Sequence, residues 1–163
     1  MPFDGWERLC FQTIGRIPFL RRRGDLLTLI NDIQFDSQLP LHVGKPRLFD
    51  GVMGQCCQTF EMLSRHATPL VLTALNTHID NVADVLADER RRLRVSQPSY
   101  IHTRMRERVR REVELASCIR AISQLVKQSF IERGVAPDKI EVVLPAVDLD
   151  HFRPVMQRDE VFR

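Results

Sequence analysis

The stretch PLVLTAL, residues 69–75, is an uninterrupted apolar run that Pro69 opens and Asn76 follows. A run of this length, with Val71, Leu72 and Thr73 inside it, is typical of a strand that is buried on both faces, as the strands of parallel sheets are. Parallel neighbours need long crossover connections, which are usually helices. The stretch therefore predicts an α/β fold.

Further elements on both sides of this run fit the same fold. Short apolar runs predict strands at residues 39–43, 118–122 and 140–144. Helical spacing predicts one helix from Asp25 to about Asp36, one that opens at Asp50, one capped by Thr77 or Asp80, a long one over residues 100–117, and one that Ser123 caps and Gly134 ends. The alternation predicts right-handed crossovers and a doubly wound, Rossmann-like layer, with a mostly parallel sheet flanked by helices.

Composition fits a single globular domain, since the chain has 163 residues of which 44% are hydrophobic and 28% charged. No apolar run approaches the roughly 18 to 20 residues of a membrane helix. Asp4 and Glu7 precede any apolar run, unlike a secretory signal, so a cytoplasmic location is expected. The cysteines have neither disulfide-framework nor metal-site spacing, so four reduced thiols and no metal are expected: Cys10, Cys56, Cys57 and Cys118.

Positive charge is concentrated in one region, because nine arginines lie from Arg90 to Arg111 against the single acid Glu107. Two interpretations stay open: a solvated helix face, or a patch that makes peripheral contact with an anionic inner membrane surface or a phosphorylated lipid acceptor. A nucleic-acid-binding module is a third hypothesis. Only Tyr100 interleaves these arginines, and stacking on single strands needs aromatic platforms, so no nucleic-acid partner is expected.

A motif in the last third of the chain carries a family resemblance. Residues 114–123 read ELASCIRAIS, residues 126–130 read VKQSF, then come Gly134-Val135, Lys139-Ile140 and Val142, and residues 147–154 read VDLDHFRP. This series resembles the end of the N-terminal domain of family-four glycosyltransferases, whose pattern is E-L-A-D-x-I-x-x-S, a helix, G-V, K-I-x-V and G-V-D-x-x-x-F-x-P. The likeness covers residues 112–154, and a weaker one covers residues 69–89. The chain has Ser117 where the pattern has Asp, and Ala146 where it has Gly.

The resemblance implies one half of a two-domain GT-B fold. Such enzymes are retaining sugar transferases with nucleotide-activated donors; their N-terminal domain mainly holds the acceptor and their C-terminal domain the donor. We therefore expect a helical segment at residues 1–38 without the family's first strand and Gly-rich loop, a Rossmann-like acceptor-side domain at 39–148, and the start of an interdomain linker at 149–163. Nothing in the chain matches the family's E-x7-E carboxylates, so no catalytic residue and no cofactor are assigned, and whether this chain alone is an enzyme stays open. A non-catalytic remnant or scaffold is the alternative.

Candidate binding residues follow from the rule that ligands of open α/β sheets lie outside the carboxyl ends of the strands. Those ends carry His42 and Gly44, then Asn76, Thr77 and His78, and finally Ser123. The resemblance implies that His78 reaches a sugar hydroxyl; the alternative is a histidine bonded to neighbouring backbone. Ser123 is more simply a helix cap. The implied partners are a sugar or lipid-linked acceptor, and a nucleotide-sugar donor only when a second domain is present. That second domain would cover the strand ends, so an exposed apolar or mixed surface is expected there.

Overall fold

The computed structural model describes residues 24–95, 101–148 and 151. Its helices are α1 Gly24–Val43, α2 Cys57–Ser64, α3 Ile79–Arg92, α4 Thr103–Leu115 and α5 Gln124–Ile131. Its strands are β1 Phe49–Val52, β2 Leu70–Ala74, β3 Cys118–Ala121 and β4 Ile140–Val142, and the 3-10 turn Pro137–Lys139 leads into β4. None of the described helices has both the length and the apolar character that crossing a membrane requires.

The strands form one parallel sheet in the order β1-β2-β3-β4. Leu72 of β2 pairs with Gly51 on one side and with Ile119 on the other, and Ile119 pairs with Ile140 of β4. The predicted α/β, Rossmann-like parallel arrangement is confirmed, with strands at three of the four expected places. The strand order of the described residues never reverses, however, so right-handed crossovers place the connecting helices on one face. The doubly wound layer is therefore not found in this part of the chain.

Side-chain burial alternates along the strands, as expected for a sheet with helices on one face only. The side chains that face the helices are almost fully buried: Leu70, Leu72, Ala74, Ile119, Ala121 and Ile140. The opposite face carries Asp50, Thr73 and Arg120 on three neighbouring strands. Arg120 Nη2 lies 2.8 Å from Thr73 Oγ1 and 2.9 Å from Asp50 Oδ2, so this polar ladder ties the strands together on the open face.

The core between the sheet and its helices depends on a close approach at Gly51. A Cβ there would lie 2.6 Å from Cys56 Sγ and 2.9 Å from the Phe60 ring, closer than real contacts allow. Phe60 and Phe130 are fully buried, so α2 and α5 seat their largest side chains directly on the sheet. Any side chain at Gly51 would push α2 away from β1.

The strand expected at residues 39–43 is wrong, because these residues are the last turn of α1. A short apolar run alone does not separate a buried strand from a helical segment, and Leu41 is in fact 78% exposed. Pro40 removes the N–H that would bond the Asp36 carbonyl one turn earlier. Thr59 Oγ1 lies 3.5 Å from that carbonyl and partly replaces the lost donor. The helix thus also runs past the end expected near Asp36.

The helix expected to open at Asp50 is also corrected. Asp50 lies in β1, and α2 begins only at Cys57. Four residues that include a glycine give no clear strand signal, whereas pairing with β2 satisfies their backbone groups. The expected division between segments 1–38 and 39–148 stays a prediction: residues 1–23 lie outside the described part, and α1 runs through residue 38.

Candidate functional site

A cavity of about 260 Å³ opens at the carboxyl edge of the sheet, beside β1 and β2. The loop after β1 supplies Met53 and Gly54, and the loop after β2 supplies Asn76. Helices α1, α3 and α4 and the segment before α4 close the rest with Asp25, Thr28, Asp32, Ile79, Val82, Ile101, His102, Met105 and Val109. The cavity therefore lies where ligands of open α/β sheets bind.

Two acidic side chains reach the cavity from α1. Asp25 and Asp32 are seven residues apart, about two turns, and so share one face of the helix. Asp32 is 7% exposed, and its Oδ1 accepts a hydrogen bond of 3.1 Å from Gln55 Nε2. Burial raises the pKa of the Asp32 carboxyl, and the Gln55 hydrogen bond and the charge of Arg108 oppose that rise. In the sequence, Asp25 was only the expected start of a helix, and no pattern pointed to Asp32.

A histidine that the sequence analysis did not single out also lines the cavity. His102 precedes α4, and its Nδ1 accepts a hydrogen bond of 3.2 Å from the Arg104 backbone N–H. An accepting Nδ1 leaves the proton of the neutral imidazole on Nε2, which is then a donor. The only sequence signal for this role was a polar residue directly before a helix.

The loop after β1 is held by a buried acid of α4. Glu112 is fully buried; its Oε2 accepts a hydrogen bond of 2.6 Å from the Gly54 N–H, and its Oε1 one of 3.1 Å from the Cys56 N–H. Burial raises the pKa of Glu112 to about 7, against the lowering effect of these two hydrogen bonds. Glu112 thus fixes the loop that forms one wall of the cavity.

The start of α2 is capped by a second buried acid, from α1. Asp36 accepts hydrogen bonds from the backbone N–H groups of Gln58 at 2.7 Å and Thr59 at 3.0 Å. Arg108 of α4 forms an ion pair of 2.7 Å with the same carboxylate. Helix N-termini bind anions through such free N–H groups. Here internal carboxylates already occupy them.

His78 lies beside the cavity but is not part of its lining. It is 5% exposed, precedes α3, and its Nδ1 accepts a hydrogen bond of 3.2 Å from the Asp80 N–H. The imidazole ring meets the Phe130 ring edge-on at 5.2 Å, and the backbone N–H of His78 donates to Ser129 Oγ at 2.9 Å. Burial lowers the pKa of His78, although the charge of Asp80 opposes this. These contacts match the alternative of a backbone-bonded histidine, and the sugar-binding role of His78 stays a prediction.

The other expected binding residues are only partly brought together. Asn76 lines the cavity, whereas Thr77, next to it in the chain, does not. Ser123 caps α5, since its Oγ accepts a hydrogen bond of 3.2 Å from the Val126 N–H. His42 and Gly44 do not follow a strand, because residues 39–43 are helical. His42 lies ten residues beyond Asp32, about 15 Å further along the helix axis.

The arginine-rich region is largely neutralised within the protein. Arg106 and Arg110 both pair with Asp80, at 2.6 and 2.9 Å. Although burial raises the pKa of Asp80, hydrogen bonds from these arginines lower it to about 2. Within the described part of the chain, ion pairs engage most of the nine arginines: Arg91, Arg92, Arg106, Arg108, Arg110 and Arg111.

Three cysteines lie in the described part of the chain as free thiols. Cys56 and Cys57 are buried free thiols, and burial raises the pKa of both. Cys118 is a third free thiol on β3, and Cys10 lies outside the described residues. Over residues 24–95, 101–148 and 151, no group of three His, Cys, Asp or Glu side chains is placed to hold a metal ion.

Residues 114–142 of the motif span the end of α4, β3, α5 and β4, whereas residues 149, 150 and 152–154 lie outside the described part of the chain. Ser117, at the pattern's Asp position, accepts a hydrogen bond of 3.1 Å from the Leu70 N–H and so ties the start of β3 to β2. Gly134 ends the α5 region at a φ of 86°, where a glycine is favoured. Comparisons of the chain with protein-family models, curated proteins and solved structures give no match. The resemblance therefore rests on this motif.

Proposed function

We propose that the chain is the acceptor-side domain of a retaining glycosyltransferase that uses a nucleotide-sugar donor, and that its cavity binds the sugar acceptor. The observation that carries the proposal is the cavity at the carboxyl ends of β1 and β2, which combines polar groups with apolar walls. The family motif supports the same assignment, with the activity of the whole enzyme depending on a donor-binding partner.

The cavity lining suits a sugar ring. A sugar presents hydroxyl groups around a ring with apolar faces. The Asp32 carboxylate accepts from hydroxyls, the Asn76 amide donates and accepts, and the Thr28 hydroxyl does both. Met53 and Ile79 provide apolar surface for the ring. The volume of about 260 Å³ is at the small end for ligand pockets, which favours one sugar ring over a whole nucleotide sugar.

Apolar side chains at the same edge of the sheet support a partner domain. Leu75, Leu125, Val143 and Leu144 follow β2, β3 and β4, and each is at least half exposed. Contiguous exposed apolar surface commonly marks an interaction site. We assign this surface to the donor-binding domain, carried on a second chain or joined to this one. The ion pairs of the arginines disfavour the nucleic-acid-binding alternative.

Ligand-detected NMR on the purified chain tests the proposal. We expect saturation transfer from the protein to unlinked mono- and disaccharides. The transfer to UDP-glucose should be no stronger than the transfer to glucose. Val82→Phe, which fills the cavity, should abolish it. Val85→Phe is the matched control, because Val85 is on the same helix but 61% exposed, and should keep it. Saturation transfer to the uridine protons alone, or equal signals from both variants, would contradict the proposal.

A further inference from the structure

The charges around the cavity specify its ligand further. We infer that the cavity selects an acceptor with a positively charged amino group, such as an amino sugar, and rejects phosphorylated ligands. This inference rests on the proposed function, because it names the charge of the acceptor in that same site. Three observations carry it: a buried carboxylate that forms no ion pair, a loop whose N–H groups are all bonded, and the absence of lysine and arginine from the lining that the structure describes.

Asp32 is the first observation. Other buried acids nearby are satisfied inside the protein: Asp36 and Asp80 pair with arginines, and Glu112 accepts two backbone N–H groups. Asp32 has only the neutral Gln55 amide, on Oδ1, and no residue in the described ranges donates to its Oδ2. Only 7% of Asp32 is exposed, yet this residue lines the cavity. A ligand ammonium group there would supply the missing partner.

The loop after β1 is the second observation. Each of its four N–H groups is already used: Met53 donates to the Thr73 carbonyl at 3.1 Å, Gln55 to the Val52 carbonyl at 3.1 Å, and the remaining two, from Gly54 and Cys56, to Glu112. Loops that bind phosphate do so through free N–H groups. This loop would have to lose internal hydrogen bonds to hold one.

The third observation is the sign of the lining. The Asp32 carboxylate contributes negative charge to it, and no lysine or arginine is among the residues that the structure describes around the cavity. An incoming phosphate would therefore meet negative charge in a partly desolvated site, where like charges repel strongly. A positively charged amino group is instead attracted by this negative charge. Asn76 and Thr28 remain available to bind the hydroxyl groups of the same ligand.

Titration calorimetry on the full chain tests the inference with D-glucosamine, D-glucose and D-glucose 6-phosphate. Glucosamine should bind about tenfold more tightly than glucose, the size of one charge-assisted hydrogen bond, and glucose 6-phosphate should bind most weakly. Asp32→Asn keeps an oxygen that accepts from Gln55, so the fold should survive, which thermal unfolding checks. This variant should remove the preference for the amino group, so that glucosamine and glucose bind it with equal affinity. Asp138→Asn, exposed before β4 at the opposite edge of the sheet, should change neither.

The outcomes separate this inference from the proposed function. Equal affinities of the wild type for glucose and glucosamine, or tighter binding of glucose 6-phosphate, overturn the inference and leave a sugar-binding site. Cyclohexylamine that binds as tightly as glucosamine, with no binding of glucose, supports the cationic preference and contradicts a sugar acceptor. A variant with Arg21, Arg22 and Arg23 replaced by alanine checks the chain's own cations. If that variant binds glucosamine and the wild type does not, the arginine side chains of the wild type compete with the ligand for the carboxylate. This result would overturn the inference.

Discussion

Glu112 is enclosed by protein on all sides and holds the loop that forms one cavity wall. Its folded-state pKa of about 7 lies above its ordinary value of 4.5. Between those two values the folded protein binds more protons than the unfolded chain, so this group makes the fold more stable as the pH falls through 7. Above pH 7 the buried carboxylate is ionised, and that contribution is lost.

The first prediction concerns this pH dependence. Lowering the pH from about 8 to about 5 should raise the unfolding free energy of the wild type relative to Glu112→Gln by about 2 to 3 kcal/mol, because only the wild type takes up the proton. Urea unfolding at both pH values measures the difference. Glu107→Gln, on the exposed side of the same helix, is the control. A difference between wild type and Glu112→Gln that does not change with pH would contradict the raised pKa.

The second prediction concerns the ion pair between Asp36 and Arg108. Asp36→Ala removes the cap of α2 and leaves a largely buried guanidinium without its partner, so it should cost about 3 to 5 kcal/mol of unfolding free energy. Replacing both residues, Asp36→Leu with Arg108→Met, should cost less than Asp36→Ala alone, since neither partner of the pair is then left as an unpaired buried charge. A double variant that is less stable than Asp36→Ala would contradict this prediction.

At the scale of elements, α3 and α4 begin in the same unusual way. His78 and His102 each accept the N–H of the residue two positions later, through Nδ1 at 3.2 Å. Histidine is not among the preferred capping residues, which is why Thr77 or Asp80 was expected to cap α3. Both expected caps are corrected to His78. The role of Asp80 is instead to bind Arg106 and Arg110, which joins α3 to α4.

The third prediction follows from the His78 cap. His78→Ala removes this hydrogen bond and the Phe130 contact, so it should lower the unfolding free energy by about 1 to 3 kcal/mol. Burial holds the pKa of His78 below its ordinary 6.5, so its stabilising contribution is present above pH 6.5 and falls as the pH drops through the lowered pKa. Thermal unfolding over that range measures both effects. His66→Ala, at an exposed position after α2, should be nearly silent, and a His78→Ala variant as stable as the wild type would mean that the cap is unimportant.

At the scale of the whole molecule, the exposed leucines of the carboxyl edge lead to the fourth prediction. The isolated chain should self-associate through Leu75 and Leu144, which are 51% and 70% exposed, because no partner covers them. Light scattering after size exclusion, over a concentration series, measures this. Leu75→Ser with Leu144→Ser should restore a monomer, whereas Leu41→Ser, at the exposed end of α1, should not. A wild-type chain that stays monomeric at high concentration would contradict an uncovered interface.

The fifth prediction is that the isolated chain transfers no sugar from any nucleotide sugar. Stabilising the charge on the leaving diphosphate is usually a large part of such catalysis. The N–H groups of the loop after β1 and the start of α2 that could serve a phosphate are already bonded to Glu112 and Asp36. Product analysis by mass spectrometry with purified protein checks this. Turnover by the wild type that Val82→Phe abolishes would show that this chain has a complete active site.

The sequence by itself determined the strands β2, β3 and β4 and their parallel arrangement, because each is a short stretch in which apolar residues predominate and each follows a stretch with helical spacing. It also determined the cap at Ser123 and the stop at Gly134, since both are local backbone requirements. Only the tertiary structure decided that residues 39–43 are helical and that β1 exists, because both depend on packing against distant segments. The cavity, too, was decided only by the tertiary structure. Gln55 bonds to Asp32, 23 residues away in the sequence, and Gly54 bonds to Glu112, 58 residues away. Side chains so far apart in sequence share no local pattern, and the fold alone brings them together.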